Sequence, residues 1–194
     1  MVLTCDIKVG ILYTQSNEDK QVNTFSIEQS MDSESPRTEY DHLGTMVCFH
    51  RRYSLGDKHG LSLPDALKLE NSKDVVSLPL YLYDHSGITI SHAPFACPWD
   101  SGKVGFIYVT KENIRKEYGV KAVTKATREK VIKVLIGEIR EYNSYLTGDV
   151  WDVVERDENG FVVNSNCGII GRAYAEEELA YMQEVLEESI AQQG

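Results

Sequence analysis

The sequence predicts an α+β fold in which a mainly antiparallel sheet of five to seven strands is covered by two or three helices. Three observations carry this. Several short runs alternate apolar and polar residues, the period-two pattern of half-buried strands. Gly-, Asn- and Asp-containing turns join neighbouring runs closely enough for hairpins. Two longer stretches instead repeat apolar residues every three or four positions, as amphipathic helices do.

From the N-terminus, Cys5, Ile7, Val9 and Ile11 alternate with Asp6, Lys8 and Gly10 as a strand, and 14–24 is a polar turn or loop. Phe25-Ser26-Ile27 is a return strand, and residues 28–41 read as a flexible acidic loop around Pro36. Thr45 to Arg51 has the β-branched and aromatic content of another strand. Leu63–Leu69 reads as a single helical turn with Pro64 near its start. Leu78, Leu80 and Leu82 mark a strand, His85-Ser86-Gly87 a turn, and Ile88-Thr89-Ile90 the returning strand. Pro79 lacks an N–H to give to a ladder, so it belongs on an edge or at a bulge. Val104 to Val109 is the clearest strand of all. Thr110 then serves as N-cap of a short helix closed by Gly119. A long helix follows from about Lys125 to Leu146, with Val131, Leu135, Ile139, Tyr142 and Leu146 on one face. Val150–Glu155 and Phe161–Asn164 flank an Asn159-Gly160 hairpin turn, Cys167–Gly171 extends the sheet, and a helix runs from Ala175 to Gln192. No boundary is visible, so residues 1–194 read as a single domain.

A chain of 194 residues can bury a sizeable core, and its 42% hydrophobic and 26% charged residues are ordinary for a globular protein. It contains no run of about eighteen apolar residues, so no membrane span is expected. The start lacks the basic and apolar regions of a signal peptide. Cysteines 5, 48, 97 and 167 form no CxxC pair, which argues against a zinc knot or a disulfide framework and for a reduced cytoplasm. The formal net charge of −10 makes nucleic acid an unlikely partner, since phosphates are repelled. A basic helix face around Lys121, Lys125, Arg128, Lys130 and Lys133 runs against that trend. Its plainer role is to neutralise the acidic tail.

The candidate chemistry gathers in three places. His50, Asp57, His59, Asp84 and His85 combine imidazole with carboxylate, which suits a metal or a general base. His50, Asp57, His59 and His85 are the candidate metal ligands, and His59, Asp84 and His85 the candidate catalytic residues. No spacing among them matches an established metal motif, and Asp57 and Asp84 serve equally well as turn caps. The stretch from Leu80 to Val109 holds an Asp-His-Ser-Gly turn and a Cys-Pro-Trp-Asp-Ser-Gly loop, where Trp99 is either a core anchor or a partner contact. Cys97, Ser86 and Ser101 lack the Gly-x-Ser-x-Gly elbow of a nucleophile, and Asp-Ser-Gly is ordinary turn chemistry. Arg51 and Arg52 can form a clamp for phosphate or carboxylate, or pair with the acidic surface. Glu176, Glu177 and Glu178 head the acidic tail. With no glycine-rich phosphate loop, nucleotide hydrolysis by a P-loop route is not expected, and no particular cofactor is indicated.

The blocks SPRTEYDHLGTMVCFHRRYSLGDKHG, LPLYLYDHSGITIS, PFACPWDSGKVGFIYVTKENIRKEYG and EIREYNSYLTGDVW, spread over Ser35 to Trp151, resemble a set of bacteriophage and mobile-element accessory proteins. The resemblance implies a phage accessory role in the host cytoplasm and no particular activity. Those proteins tend to carry an Asp-Ser-Cys-Trp-Gly-like stretch near the end; here Asn164-Ser165-Asn166-Cys167-Gly168 stands without the tryptophan. Two function classes follow. One is a protein that binds and inhibits a host factor, such as a CRISPR or restriction component, through Trp99, Arg51, Arg52 and the glutamates 176–178, with the acidic tail mimicking nucleic acid. The other is a metal-dependent hydrolase or nuclease using the His/Asp residues.

Overall fold

The computed structural model describes residues 9–13 and 22–192. Contacts divide the chain into two compact units, one formed by Met1–Glu34 with Gly148–Gly194 and the other by Ser35–Thr147. In chain order the elements are β1 (Val9–Tyr13), β2 (Val22–Gln29), α1 (Pro36–Glu39), β3 (Thr45–Cys48), α2 (Leu63–Glu70), β4 (Val75–Asp84) and β5 (Ile88–Ser91). They continue with β6 (Ser101–Thr110), α3 (Lys111–Tyr118), α4 (Lys125–Leu146), β7 (Val150–Arg156), β8 (Val162–Ile170) and α5 (Arg172–Ala191). The class is α+β and the ladders are antiparallel, as the alternation and turns require. The strands divide between two four-stranded sheets, where the sequence suggested one. Of the five helices, the short α1 was not expected, and α2 extends the expected helical turn at Leu63–Leu69 to two turns.

The unit from Ser35 to Thr147 is built on the sheet β3-β6-β4-β5. The apolar stripe of α4 (Val131, Leu135, Ile139 and Tyr142) is buried against Leu80, Leu82, Ile90 and Ile107 in one core cluster. Ala66 of α2 joins Val47 and Phe106 in a smaller cluster with Phe49, Leu69 and Tyr108. In the β4–β6 pairing Leu80 faces Gly105 and Tyr81 faces Lys103, so Val104 is the extra residue of a bulge. That bulge brings Val104 into the same cluster as Ile107 and Val109. Pro79 sits beside it, in the part of β4 that β5 does not reach, where a missing N–H costs no ladder bond.

Local chemistry fixes the helix ends. The Thr110 and Thr124 hydroxyls accept the Asn113 and Thr127 backbone N–H groups at 3.1 and 3.2 Å. Gly119 closes α3 at φ +60°.

The other unit is built on the sheet β1-β2-β7-β8. Phe25, Ile27 and Val153 bury one face against Ala175, Leu179 and Met182 of α5. The expected turn at Asp157–Gly160 joins β7 to β8, with Asp157 Oδ1 accepting the Asn159 and Phe161 N–H groups at 2.9 and 2.8 Å. The expected pieces Phe161–Asn164 and Cys167–Gly171 form one strand, bent at Gly168, whose N–H donates to Asp152. In the stretch 28–41, Glu28 and Gln29 complete β2 and residues 36–39 form α1. Cys5, Ile7 and the turn at 14–21 lie outside the described residues.

Candidate functional site

The site is assembled by the β4–β5 turn and the loop that returns the chain to β6. Asp84 N–H donates to Asp100 O at 2.8 Å, tying turn to loop. The Ser101 hydroxyl donates to Cys97 O, and the Cys97 thiol lies 3.7 Å from Asp100 Oδ2. Asp100 also meets His85 Nδ1 at 3.3 Å, and Tyr83 packs its ring against His85 and Phe95. Ser86 holds φ +58°, which the short turn imposes. Ser101, Cys97 and Asp100 are thus engaged within the loop, as turn chemistry rather than as a nucleophile and its base.

Trp99 is the exception: it is 90% exposed at the tip of this braced loop. Beside it a cleft of about 370 Å³ is lined by Phe49, His50, Arg52, Leu82, Asp84 and Lys103 as well. His50 stacks on Tyr53 with centroids 4.9 Å apart, and its Nδ1 accepts the backbone N–H groups of Arg52 and Tyr53 at 3.3 and 3.2 Å. An imidazole that accepts at Nδ1 carries its proton on Nε2 when neutral. Arg52 pairs with Asp84 and lies over the Tyr53 ring at 5.2 Å. Lys103 is held by Glu70 at 2.6 Å. Arg51 lines a neighbouring cleft with Phe49, His50 and Arg52. The cleft thus offers the His50 imidazole, the carboxylate-paired cations of Arg52 and Lys103 and the carboxylates of Asp84 and Asp100, set beside one large exposed ring.

The structure brings His50, Arg52, Asp84 and Trp99 into one cleft and leaves the other candidates elsewhere. His59 Nε2 lies 3.1 Å from Cys48 O, its ring meets Phe49 edge-on, and its buried Nδ1 has no partner. Asp57 is committed to Arg37 and to the Met46 N–H. Among the described residues no group of three or more His, Cys, Asp and Glu side chains comes together as a metal site. Glu176, Glu177 and Glu178 lie on α5 in the other unit. Glu176 is 3.5 Å from Arg172, Glu177 is exposed, and Glu178 lines a groove with Tyr181.

A buried polar network around Arg37 is not foreshadowed by the spacing of its residues. Arg37, 2% exposed, donates from Nε and Nη2 to Asp57 at 2.8 and 2.6 Å, from Nη1 to Glu138 at 3.0 Å and from Nη2 to Gly44 O at 2.7 Å. Glu138 in turn accepts the Leu43 and Gly44 N–H groups. Burial opposes the Arg37 charge, but the carboxylates of Asp57 and Glu138 outweigh it, so its pKa is raised. Burial first, and Asp57 second, push the Cys48 thiol up to about 12. The signal available in the sequence was Glu138 itself, three residues after Leu135 and four before Tyr142 on the buried stripe. Arg37, Asp57 and Tyr142 also line a cavity of about 630 Å³ with Leu55 and Tyr145.

No family model, no curated protein and no solved structure matches the chain. Among the described residues no helix is long and apolar enough to cross a membrane.

Proposed function

We propose that the chain is a bacteriophage or mobile-element accessory protein that binds a host protein in the host cytoplasm and inhibits it, with a CRISPR or restriction component as the expected class of target. The observation that carries this reading is Trp99, 90% exposed on a loop braced by its own hydrogen bonds. A large ring in water is a poor solution for folding and a good one for binding, because burying it on a partner yields ~2 kcal/mol, about thirtyfold in affinity. The bracing limits the entropy lost when a partner docks. Arg52, fixed by Asp84 and stacked on Tyr53, supplies an oriented charge beside the ring.

The competing reading, a metal-dependent hydrolase or nuclease, has no gathered ligand set among the described residues to rest on. His50, His59, His85, Asp57 and Asp84 are engaged with different neighbours. The test is to express the wild type, Trp99→Ala and Arg52→Ala in a host carrying active restriction or CRISPR immunity and challenge each with a sensitive phage. The proposal expects wild-type plating to rise and both variants to lose the effect while accumulating as folded protein. Equal protection by Trp99→Ala would refute this surface.

A further inference from the structure

We propose that the open edge of β8, together with the adjacent stripe of α5, binds an extended, lysine- or arginine-rich segment of a protein as an added β-strand. This surface lies in the other unit from Trp99 and does not depend on the reading above.

β8 is the last strand of its sheet, and no described strand pairs with its outer side. An edge strand leaves a row of backbone N–H and C=O groups to be satisfied by water or by another chain. Natural edges are guarded by charge, proline or bulges; Val162 to Ile170 contains no charge or proline, and its two register shifts fall on either side of a regular middle. Residues 161–167 are all exposed, with Phe161, Val162 and Val163 at 71%, 55% and 52%. Register shifts flank the regular run Asn164–Asn166, and those three residues form one wall of a groove of about 300 Å³. The other wall is α5, through Glu178, Tyr181, Met182 and Val185. Tyr174, Glu178, Tyr181 and Val185 recur every three or four residues, so they form one stripe along the helix. A strand laid on β8 would set alternate side chains against that stripe, with main-chain bonds supplying affinity and the stripe supplying selection.

Charge decides the occupant. The unit formed by Met1–Glu34 and Gly148–Gly194 carries four Lys/Arg against seventeen Asp/Glu, a formal net of −13. The Ser35–Thr147 unit has sixteen against thirteen, a net of +3. A second copy of β8 would bring another −13 against the first, and a phosphate backbone is repelled in the same way. Glu178 in the groove and the exposed Glu177, Glu184 and Glu188 on α5 instead complement a basic segment.

The test uses the full chain and synthetic peptides of about eight residues, the length of an ordinary strand. One alternates Lys with Val, a second alternates Glu with Val, and a third is the Lys–Val peptide N-methylated at alternate residues. Fluorescence anisotropy gives affinity, and amide hydrogen exchange locates binding. The Lys–Val peptide should bind, slow exchange in β8, and weaken as salt rises. N-methylation should cost tenfold or more, and so should Asn164→Lys with Asn166→Lys in a variant that keeps its circular dichroism. Trp99→Ala should leave peptide binding unchanged, which separates this proposal from the Trp99 surface. Undetectable Lys–Val binding, equal binding of the N-methylated or Glu–Val peptide, or concentration-dependent dimerisation through β8 would each overturn it.

Discussion

Replacing Arg37 by methionine tests whether the buried charge network holds the Ser35–Thr147 unit together. The guanidinium makes four hydrogen bonds at 3.0 Å or less, to Asp57, Glu138 and Gly44 O, from a side chain 2% exposed. Methionine fills much of the volume and makes none of them. Glu138, 8% exposed, would then keep its backbone N–H donors but lose its counter-charge, and Gly44 O would lose a donor. Breaking a buried pair from one side costs roughly 3–5 kcal/mol. Asp57, 21% exposed, can recover some hydration, which places the expectation near the lower figure, about 3 kcal/mol. With a urea m-value of ~2 kcal/mol/M, that moves the midpoint down by about 1.5 M. Urea unfolding followed by far-UV circular dichroism and by hydrogen exchange in α4 measures it. Adding Glu138→Gln to Arg37→Met removes the stranded charge, keeps a carbonyl for the Leu43 and Gly44 N–H groups, and should restore ~1–2 kcal/mol. A midpoint shift under about 0.3 M for Arg37→Met, or no recovery in the double variant, would show that the network does not carry this weight.

Four further outcomes are expected. Trp99→Ala should change stability by less than about 0.5 kcal/mol in the same urea assay, because an exposed ring supports little packing. Gly105→Ala should destabilise by more than about 2 kcal/mol, since a Cβ there would lie 1.9 Å from the Val47 carbonyl oxygen, a backbone atom that cannot swing aside. At pH 8 a thiol reagent should modify exposed Cys167 and leave buried Cys48, whose pKa is near 12, unmodified until the chain is unfolded. The hydrogen bond from Arg156 holds the Glu28 carboxyl below its ordinary value. A lowered folded-state pKa gives stability that is present above the unfolded value and lost as pH falls through the folded one. Glu28→Gln should therefore cost a few tenths of a kcal/mol in urea at pH 7, as for a screened surface pair, with the difference shrinking as the medium is acidified below the unfolded carboxylate value.

Where the determinants are local, the sequence was readable. The α4 stripe, the Thr110 cap with Gly119, and the Asn159-Gly160 turn each need residues within a few positions of one another, so their spacing carries the information. Pro79 was placed correctly because its missing N–H restricts it whatever surrounds it. The separation into two sheets was not readable, because β2 pairs with β7 across more than a hundred residues and alternation does not name a partner. Arg37 escaped for the same reason, its partners Asp57 and Glu138 being 20 and 101 positions away. At the site, adjacency in sequence misled in one respect. Asp84 and His85 are neighbours, yet Asp84 turns to Arg52 and His85 to Asp100. Trp99 stood open between core anchor and contact, and its 90% exposure removes the core anchor, which its neighbours in the chain could not do.

The central claim, that the Trp99 surface meets a host protein, is tested most directly by photo-crosslinking in the host. Trp99→p-benzoylphenylalanine keeps an aromatic ring at the cleft, and Lys68→p-benzoylphenylalanine, at a side chain 79% exposed in the same unit, is the control. Crosslinking one host protein from position 99, reduced by Arg52→Ala and missing from position 68, is the result the account predicts. No product from position 99, or the same products from both positions, would contradict it.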